Sequence, residues 1–472
     1  MSVKNETKTK TKKQFQLPHV YVLLAIIIAV ATIMTWVVPA GEFDRAVNEA
    51  TGRTVVVPGT YHRVEQSPVG LFDMVKCLYT GVCDAHDIIF FIMLSAASID
   101  LIISSGIFNG IVSSLLKTFK GKSRAIVIPV FITILGIASS TIGVFEEALP
   151  FIPIFVGISI AMGYDAIVGA AIVALGVGVG YSGAAMNPFT VGTAQSLAEL
   201  APLSGAGFRM FCHVVMIIVA SAYTMRYAIK IQADPTKSLL YGTSLGADIA
   251  ADENVENHEF GIRQKLVLLT VVIGLIVVVY GTKTYGWYFG ELCSCFMIMG
   301  VISAIIMGWG ANEIGEKIAH SFSVMATSAM MVGIARAILM VLNAGCISDT
   351  IVYTLANPLT MMPSWMAAEV MLVVQTLLNF LIPSGSGQAV VSMPIMIPLA
   401  DIAGISRQVA VLAYQFGDGL SNIMWPTAFT PVICALAGIK LEKWWKWLTP
   451  LFLALVATQM VLIGVAMAVN FA

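Results

Sequence analysis

Long uninterrupted apolar runs dominate the chain. The first occupies residues 20–40 (VYVLLAIIIAVATIMTWVVPA). Others fill 87–105, 124–142, 145–162, 165–198, 207–229, 264–282, 287–308, 322–345, 366–383, 388–403, 407–436 and 447–470. A bilayer core takes about 20 apolar residues per helical crossing, so the pattern predicts an all-α polytopic membrane protein. Between the runs, 41–68 is polar, with turn signals at Asn48 to Gly52 and at Pro58-Gly59. Thr54 to Val57 and Tyr61 to Val64 read as a small β-ribbon outside the membrane. Residues 69–83 are mixed and are expected at the interface. The acidic stretch 244–262, with Asp248, Asp252, Glu253, Glu256 and Glu259, divides the chain into halves.

Composition agrees with the pattern. The 472 residues are 58% hydrophobic and 11% charged, against roughly 25% charged in a soluble domain. That excludes a soluble enzyme, a nucleic-acid binder and a single-anchor receptor. The net charge of −1 says little; where the charges stand says more. The tail carries five lysines in its first thirteen residues. Basic clusters follow at Lys117/Lys120/Lys122/Arg124, Arg226/Lys230/Lys237, Arg263/Lys265 and Lys440/Lys443/Lys446, all expected on the cytoplasmic side. The N-terminus is then cytoplasmic. Val38-Pro39-Ala40 resembles a cleavage site only faintly, and a run of full span length is expected to remain.

One internal offset recurs. Gly106 to Val112 lies against Cys346 to Val352 at 240, Gly143 against Gly385 at 242, Pro153 against Pro394 at 241, and Phe189-Thr190 against Phe429-Thr430 at 240. Each half therefore repeats one order: a span, a short amphipathic helix (Ile107 to Phe119 in the first half), two apolar arms, an interrupted segment and a closing span. Charge placement is satisfied whether the arms cross or fold back as hairpins. The hairpin reading puts five crossings between equivalent spans, which makes the two repeats inverted. It gives about nine transmembrane helices plus two re-entrant hairpins. The expected divisions are a tail at 1–18, a first span with its ribbon loop at 19–86, a first repeat at 87–232 with hairpin 124–162 and broken helix 165–198, and an acidic cytoplasmic loop at 233–263. Linking spans and the start of the second repeat follow at 264–345. The rest, 346–472, holds hairpin 366–403 and broken helix 407–436.

Four breaks carry the candidate chemistry. The first is Ser139-Ser140-Thr141-Ile142-Gly143, followed by Glu146-Glu147. The second spans Gly176 to Gly192 and holds Gly180, Gly183, Asn187 and Pro188. The third is Pro383-Ser384-Gly385-Ser386-Gly387-Gln388. The fourth is Gly417-Asp418-Gly419-Leu420-Ser421-Asn422, with Pro426-Thr427 beyond. Non-helical chain at membrane depth survives only against protein or water. Hydroxyls, amides and freed carbonyls there can hold a cation, and exposed helix N-termini attract a carboxylate. The candidate substrate contacts are Ser139, Ser140, Thr141, Glu146, Glu147, Asn187, Ser384, Gly385, Ser386, Gln388, Asp418, Asn422 and Thr427. The candidates for the breaks and a coupling ion are Gly143, Gly180, Gly183, Pro188, Gly387, Gly417, Gly419, Ser421 and Pro426.

Ionisable groups inside a membrane are functional candidates. Glu146, Glu147 and Asp418 outnumber Arg336, the one base expected to be well embedded, which could bind a carboxylate or form an ion pair. Asp100, near a span end, is expected to snorkel. Gly178 to Gly183 matches a dinucleotide pattern without a surrounding βαβ unit, and Gly121-Lys122-Ser123 lacks the first P-loop glycine. Six histidines and seven cysteines form no catalytic or metal set; Cys77 and Cys83 are expected in apolar packing. No enzyme, no cofactor and no metal centre is expected.

At Val38 to Phe43, Gly59-Thr60-Tyr61, the Pro383 to Gln388 tip, and Gln415 to Gly419 with Asn422 and Pro426, the chain resembles the bacterial YfcC/DcuC group. These are C4-dicarboxylate anaerobic carriers of the ion-transporter superfamily. The resemblance covers nearly the whole chain. It implies an elevator-type fold in the bacterial inner membrane, a homodimer, and sodium ion or proton as candidate coupling ions. It also implies re-entrant hairpins ending in Ser-Asn-Thr tips, from which Ser139-Ser140-Thr141 departs once and Ser384-Gly385-Ser386 twice. Some members of the group are assigned to arginine/ornithine exchange and others to dicarboxylates. The expected function is secondary transport of a small amino acid or carboxylate, with the excess of acids favouring a basic amino acid. A C4-dicarboxylate carrier and an ion channel are the alternatives.

Overall fold

The computed structural model describes residues 19–48, 53–57, 59–107, 121–201, 204–246, 261–285, 287 and 289–471. The amphipathic stretch after Ile107, the tail and most of the acidic stretch lie outside the described residues. Among the described residues, eight helices are long and apolar enough to cross a bilayer, from Val20–Val37 to Leu441–Ala468.

The polar loop forms two small antiparallel pairs, and they differ from the expected ribbon. Arg45–Asn48 pairs with Arg53–Val56, and Gly41–Glu42 pairs with His62–Arg63. The turn signal at Asn48 to Gly52 joins the first pair. The outer strands then close over it, so 54–57 and 61–64 are not partners. Asp349 fixes this loop: it accepts from the Phe43 backbone N–H at 3.0 Å and from Arg45 at 2.9 Å. Residues 71–84 form a helix whose Cys77 packs with Leu24, Ile28 and Ala337, while Cys83 is exposed instead of packed.

The long helix Ala311–Ala344 begins well before the apolar run at 322. Its first turns carry Asn312, Glu313, Glu316 and Lys317, so hydropathy detected only the later part. Conversely, two expected runs break into shorter pieces. The first is Ala166–Ser182 with a short π-turn Pro188–Gly192 and helix Thr193–Leu197. The second is Arg407–Ser421 followed by Thr430–Leu436.

Ala166–Ser182 and Arg407–Ser421 are the innermost helices, buried along almost their whole length. The arms Val127–Ile142 and Ile152–Ala161 pack on the former, and Ser364–Leu381 and Gly385–Ile402 on the latter. Glycine permits the closest contacts. A Cβ on Gly419 would lie 2.2 Å from the Ser182 backbone nitrogen, and one on Gly180 would lie 2.5 Å from the Gly136 carbonyl oxygen. These glycines are therefore packing residues, and the helices run through them. The breaks fall later, at 183–187 and 422–429. The expected break positions at Gly180, Gly417 and Gly419 are corrected accordingly; Gly417 sits against Gln375, where a Cβ would meet its Cβ at 2.6 Å.

Helix polarity follows from contacts at the ends. Arg263 donates to the Met307 carbonyl at 2.8 Å, and Ala311–Ala344 then carries the chain across to Cys346, whose carbonyl accepts from Gly41 in the ribbon loop at 2.9 Å. Ala166–Ser182 starts at Asp165, bonded to Ser238 at 2.7 Å. Arg407–Ser421 starts where Arg407 meets Glu199 at 2.7 Å. Ala206–Ala233 runs from the second of these ends to the first, so the two innermost helices begin on opposite faces. Ile402 and Tyr61 line one cavity, which puts the Arg407 end on the ribbon face.

Gly419→Leu and Gly180→Leu are expected to lower stability by about 1–3 kcal/mol or more through overpacking. Gly157→Ala, at an exposed helical position with open space around it, is expected to be neutral or slightly stabilising. Thermal unfolding in detergent, read by loss of the monodisperse peak, checks both.

Candidate functional site

The C-terminal end of Val127–Ile142 and the N-terminal end of Gly385–Ile402 each meet an interrupted helix. Val127–Ile142 ends at Gly143, whose φ of 82° closes the helix in the left-handed region. A Cβ there would lie 2.7 Å from Asn187 Oδ1. Ser139 donates to the Val177 carbonyl at 2.9 Å; Ser140 donates to the Gly183 carbonyl at 3.4 Å and accepts from the Ala185 N–H at 3.0 Å. Thr141 bonds back to Ile137 at 2.6 Å. All three hydroxyls thus have protein partners, and the two serines hold the first break in place. Asn187 Oδ1 caps the π-turn through the Phe189 and Thr190 N–H groups at 2.9 and 3.3 Å. Pro188 stands first in that turn, where its missing N–H costs little.

At the second tip the non-helical residues are Ile382 to Ser384. Gly385, Ser386, Gly387 and Gln388 form the first turn of Gly385–Ile402 instead of the break itself, because Ser384 caps it by accepting from the Gly387 N–H at 3.4 Å. A Cβ on Gly385 would lie 2.7 Å from Thr190 Cγ2 and 2.9 Å from both Asp418 Oδ2 and the Tyr181 hydroxyl. This tip therefore touches both innermost helices at once. Tyr414 donates to the Gly385 carbonyl at 2.6 Å. Gln388 donates to Gln375 Oε1 at 2.8 Å.

Asp418 is fully buried. Its Oδ1 accepts from Asn379 at 2.9 Å, and its backbone carbonyl accepts from Asn422 at 2.8 Å. Ser421, the last residue of its helix, bonds back to Gly417 at 2.6 Å. Pro426 and Thr427 lie in the irregular connection to Thr430. Glu147 accepts from the Phe145 N–H at 2.9 Å. The Phe145 ring stands between Tyr181 at 5.2 Å and Phe429 at 5.0 Å. Tyr181, which packs on Phe145 beside Glu146, brings its hydroxyl to 2.9 Å from the place of a Gly385 Cβ, as does Asp418 Oδ2.

Arg336 takes the ion-pair alternative, within the helix Ala311–Ala344. Its side chain is 27% exposed and it donates to Asp84. The fully buried base is Arg209, bonded to the Ser204 carbonyl at 2.6 Å and to Gln408 at 2.5 Å, with no acidic partner among the described residues. Sequence reading passed over it because it stands at the first turn of a span, where snorkelling is the usual outcome.

Buried polar atoms are normally paired, and an unpaired one costs about 1–3 kcal/mol. Among the described residues, ten buried side-chain atoms around the two breaks have no protein partner. They are Asn187 Nδ2, Thr190 Oγ1, Asn379 Oδ1, Gln388 Oε1, Gln415 Oε1, Asp418 Oδ2, Thr427 Oγ1, Thr430 Oγ1, and both ring nitrogens of His213, which packs on Gly183. Seven are acceptor or hydroxyl oxygens, which suits a polar solute or cation. Gln375, Asn379 and Gln415 escaped sequence reading, although Gln375 and Asn379 stand one helical turn apart in an apolar run. No group of three His, Cys, Asp or Glu able to hold a metal ion is present among the described residues.

Comparison with known proteins now decides the family. The description "C4-dicarboxylate anaerobic carrier" matches residues 17–468. The chain belongs to this carrier family. It is 30% identical over 486 residues to an uncharacterized protein of Haemophilus influenzae, covering 94% of this chain and 95% of that one. It is 28% identical over 500 residues to the Escherichia coli protein named "Putative basic amino acid antiporter YfcC", covering 97% and 98%. Among solved structures, the YdaH transporter of Alcanivorax borkumensis aligns with TM-score 0.44 and 16% identity, covering 96% of this chain and 98% of that one. MtrF of Neisseria gonorrhoeae, from a class of antimetabolite efflux pumps, aligns with TM-score 0.44 and 17% identity, covering 95% and 94%. This carrier is a multi-pass membrane transporter and not an enzyme.

Asp418→Asn keeps an acceptor for Asn379 and removes the buried charge. The expected outcome is unchanged or raised thermal stability without solute, together with loss of solute-induced stabilisation. A thermal-shift panel of amino acids and dicarboxylates reads both.

Proposed function

We propose that this carrier exchanges small basic amino acids of the arginine/ornithine type. The observation that carries the reading is the presence of three acids, Glu146, Glu147 and Asp418, beside ten unpartnered polar atoms around two helix breaks, with no lysine or arginine nitrogen among those atoms. A cationic side chain offsets that charge; a dicarboxylate would add to it. The Asn187 amide nitrogen and the oxygens of Gln388, Asn422 and Thr427 would hold the solute's polar groups, and the first turn of Gly385–Ile402, with Gly385 and Ser386, would offer N–H groups to its carboxylate. Sodium ion or proton remains the candidate coupling ion, with Asp418 Oδ2 and Asn379 Oδ1 as oxygen donors suited to a hard cation.

The proposed mechanism is of the elevator type. Supporting it, the hairpin arms and interrupted helices share one hydrophobic cluster, while Val20–Val37, the middle of Leu71–Asp84 and the last part of Ala311–Ala344 form another. The opposite starts of Ala166–Ser182 and Arg407–Ser421 favour inverted repeats with two re-entrant hairpins and about nine crossings. The ribbon face is then extracytoplasmic, with Lys230, Lys237, Arg263 and Lys440 inside the cell in the bacterial inner membrane. A homodimer is part of the same reading, from the superfamily resemblance.

The second reading, a C4-dicarboxylate carrier, is favoured by the family's own description. Proteoliposomes loaded with ornithine are expected to take up labelled arginine by saturable counterflow, and succinate-loaded ones to take up none. Succinate uptake alone ends the basic amino acid reading, and steady single-channel current ends the carrier reading. Within an exchanging protein, Asp418→Asn is expected to raise the arginine KM about 30-fold or more, the scale for removing one buried charged partner.

A further inference from the structure

A cavity of about 340 Å³ opens on the ribbon face, outside the buried acids, lined by Glu42, Arg45, Arg336, Asn343, Asp349 and Ser384 among others. Two of its four charged groups are already joined: Arg45 donates to both Asp349 oxygens, at 3.1 and 2.9 Å. That pair fixes the ribbon and neutralises itself. The other two are not joined to each other. Glu42 has the Cys346 thiol as its hydrogen-bonding neighbour. Arg336 reaches Asp84 through Nε, and its two terminal nitrogens make no hydrogen bond among the described residues. A guanidinium presents two parallel N–H donors to a carboxylate, and here that fork is vacant beside the cavity.

Arg336 also lines a second, smaller cavity of about 50 Å³ with Asp84, Pro383, Thr427 and Phe429. Phe429 touches Phe145, and Phe145 touches Tyr181. The guanidinium thus lines both the open vestibule and the smaller cavity that Phe429 borders.

We propose that this vestibule is a separate capture site for zwitterionic amino acids. The ligand's carboxylate takes the terminal nitrogens of Arg336, and its ammonium faces Glu42. The site accepts one positive and one negative end and repels a dicarboxylate at Glu42. It rests on the amino acid reading of the inner site and adds a step that occurs on the ribbon face only. Binding there raises the local solute concentration at the constriction beside Thr427 and leaves the inner acids unchanged.

The one-sided step gives the test. Arginine exchange is measured in proteoliposomes with the ribbon face outward and, separately, inward, for the wild type, for Glu42→Gln, and for Arg336→Gln combined with Asp84→Asn so that no carboxylate is left alone. The expected result is a KM raised about 10-fold from the ribbon face, the scale of one charge-assisted hydrogen bond, with kcat and the KM from the opposite face unchanged. Equal changes from both faces, or no change in Glu42→Gln, overturn the capture site. If the paired variant does not fold, Glu42→Gln alone carries the decision. A wild type that exchanges no arginine from either face fails the basic amino acid reading itself, a distinct outcome that removes the capture site with it.

Discussion

Backbone polar groups released from a helix inside a bilayer have no water to bond, and the rest of this structure is arranged around that constraint. In the first break, Ser140 serves the Ala185 N–H, its own carbonyl accepts from Met186 at 3.0 Å, and Asn187 caps the turn that follows. In the second break, the carbonyls come from Ile423 and Met424, and the donors are indoles: Trp444 at 3.1 Å and Trp445 at 2.8 Å, both on the closing helix. Trp425 in turn reaches the Thr376 carbonyl at 2.8 Å on the hairpin arm. Much of the freed main chain is thus satisfied by neighbouring side chains. What stays unpaired is concentrated in side chains facing the junction of both breaks.

That division separates scaffolding from recognition. Serines and asparagines that complete the main chain have fixed partners and little freedom to bind a solute. Ser139, Ser140 and Asn187 Oδ1 belong to that set. Asp418 Oδ2, Gln388 Oε1 and Thr430 Oγ1 do not, and their desolvation is uncompensated until something polar arrives. An unliganded site of this kind is unstable by several such groups, so solute or ion binding and local order are linked. The linkage follows from the same cost that makes unpaired polar atoms rare elsewhere in proteins.

The existence of the helices was legible because apolar runs are a property of the chain itself. Helix ends were legible where chemistry marks them, as at Gly143 and Ser384. The glycines near Asp418 misled, since glycine serves both turning and close approach, and only a neighbouring helix shows which applies at Gly419. The ribbon pairing was misread for a related reason: two turn signals permit two pairings, and the contacts of Asp349 from a distant segment accompany the one adopted. The burial of Arg209 was not legible because it depends on packing against Phe471 and Gln408, neither of them nearby in sequence.

The two tips, equivalent by offset, are not equivalent by chemistry. Ser139 and Ser140 are engaged with the chain around 177–186, so the first tip is sealed to its own interrupted helix. The second tip is anchored differently: Tyr414 holds the Gly385 carbonyl and Gln388 holds Gln375, while Ser384 caps its own helix turn and lines the vestibule. Its Gly385 approaches Thr190 of the first half and Asp418 of the second. The first tip is therefore tied by its serines to one interrupted helix, whereas the second meets both interrupted helices and borders a cavity.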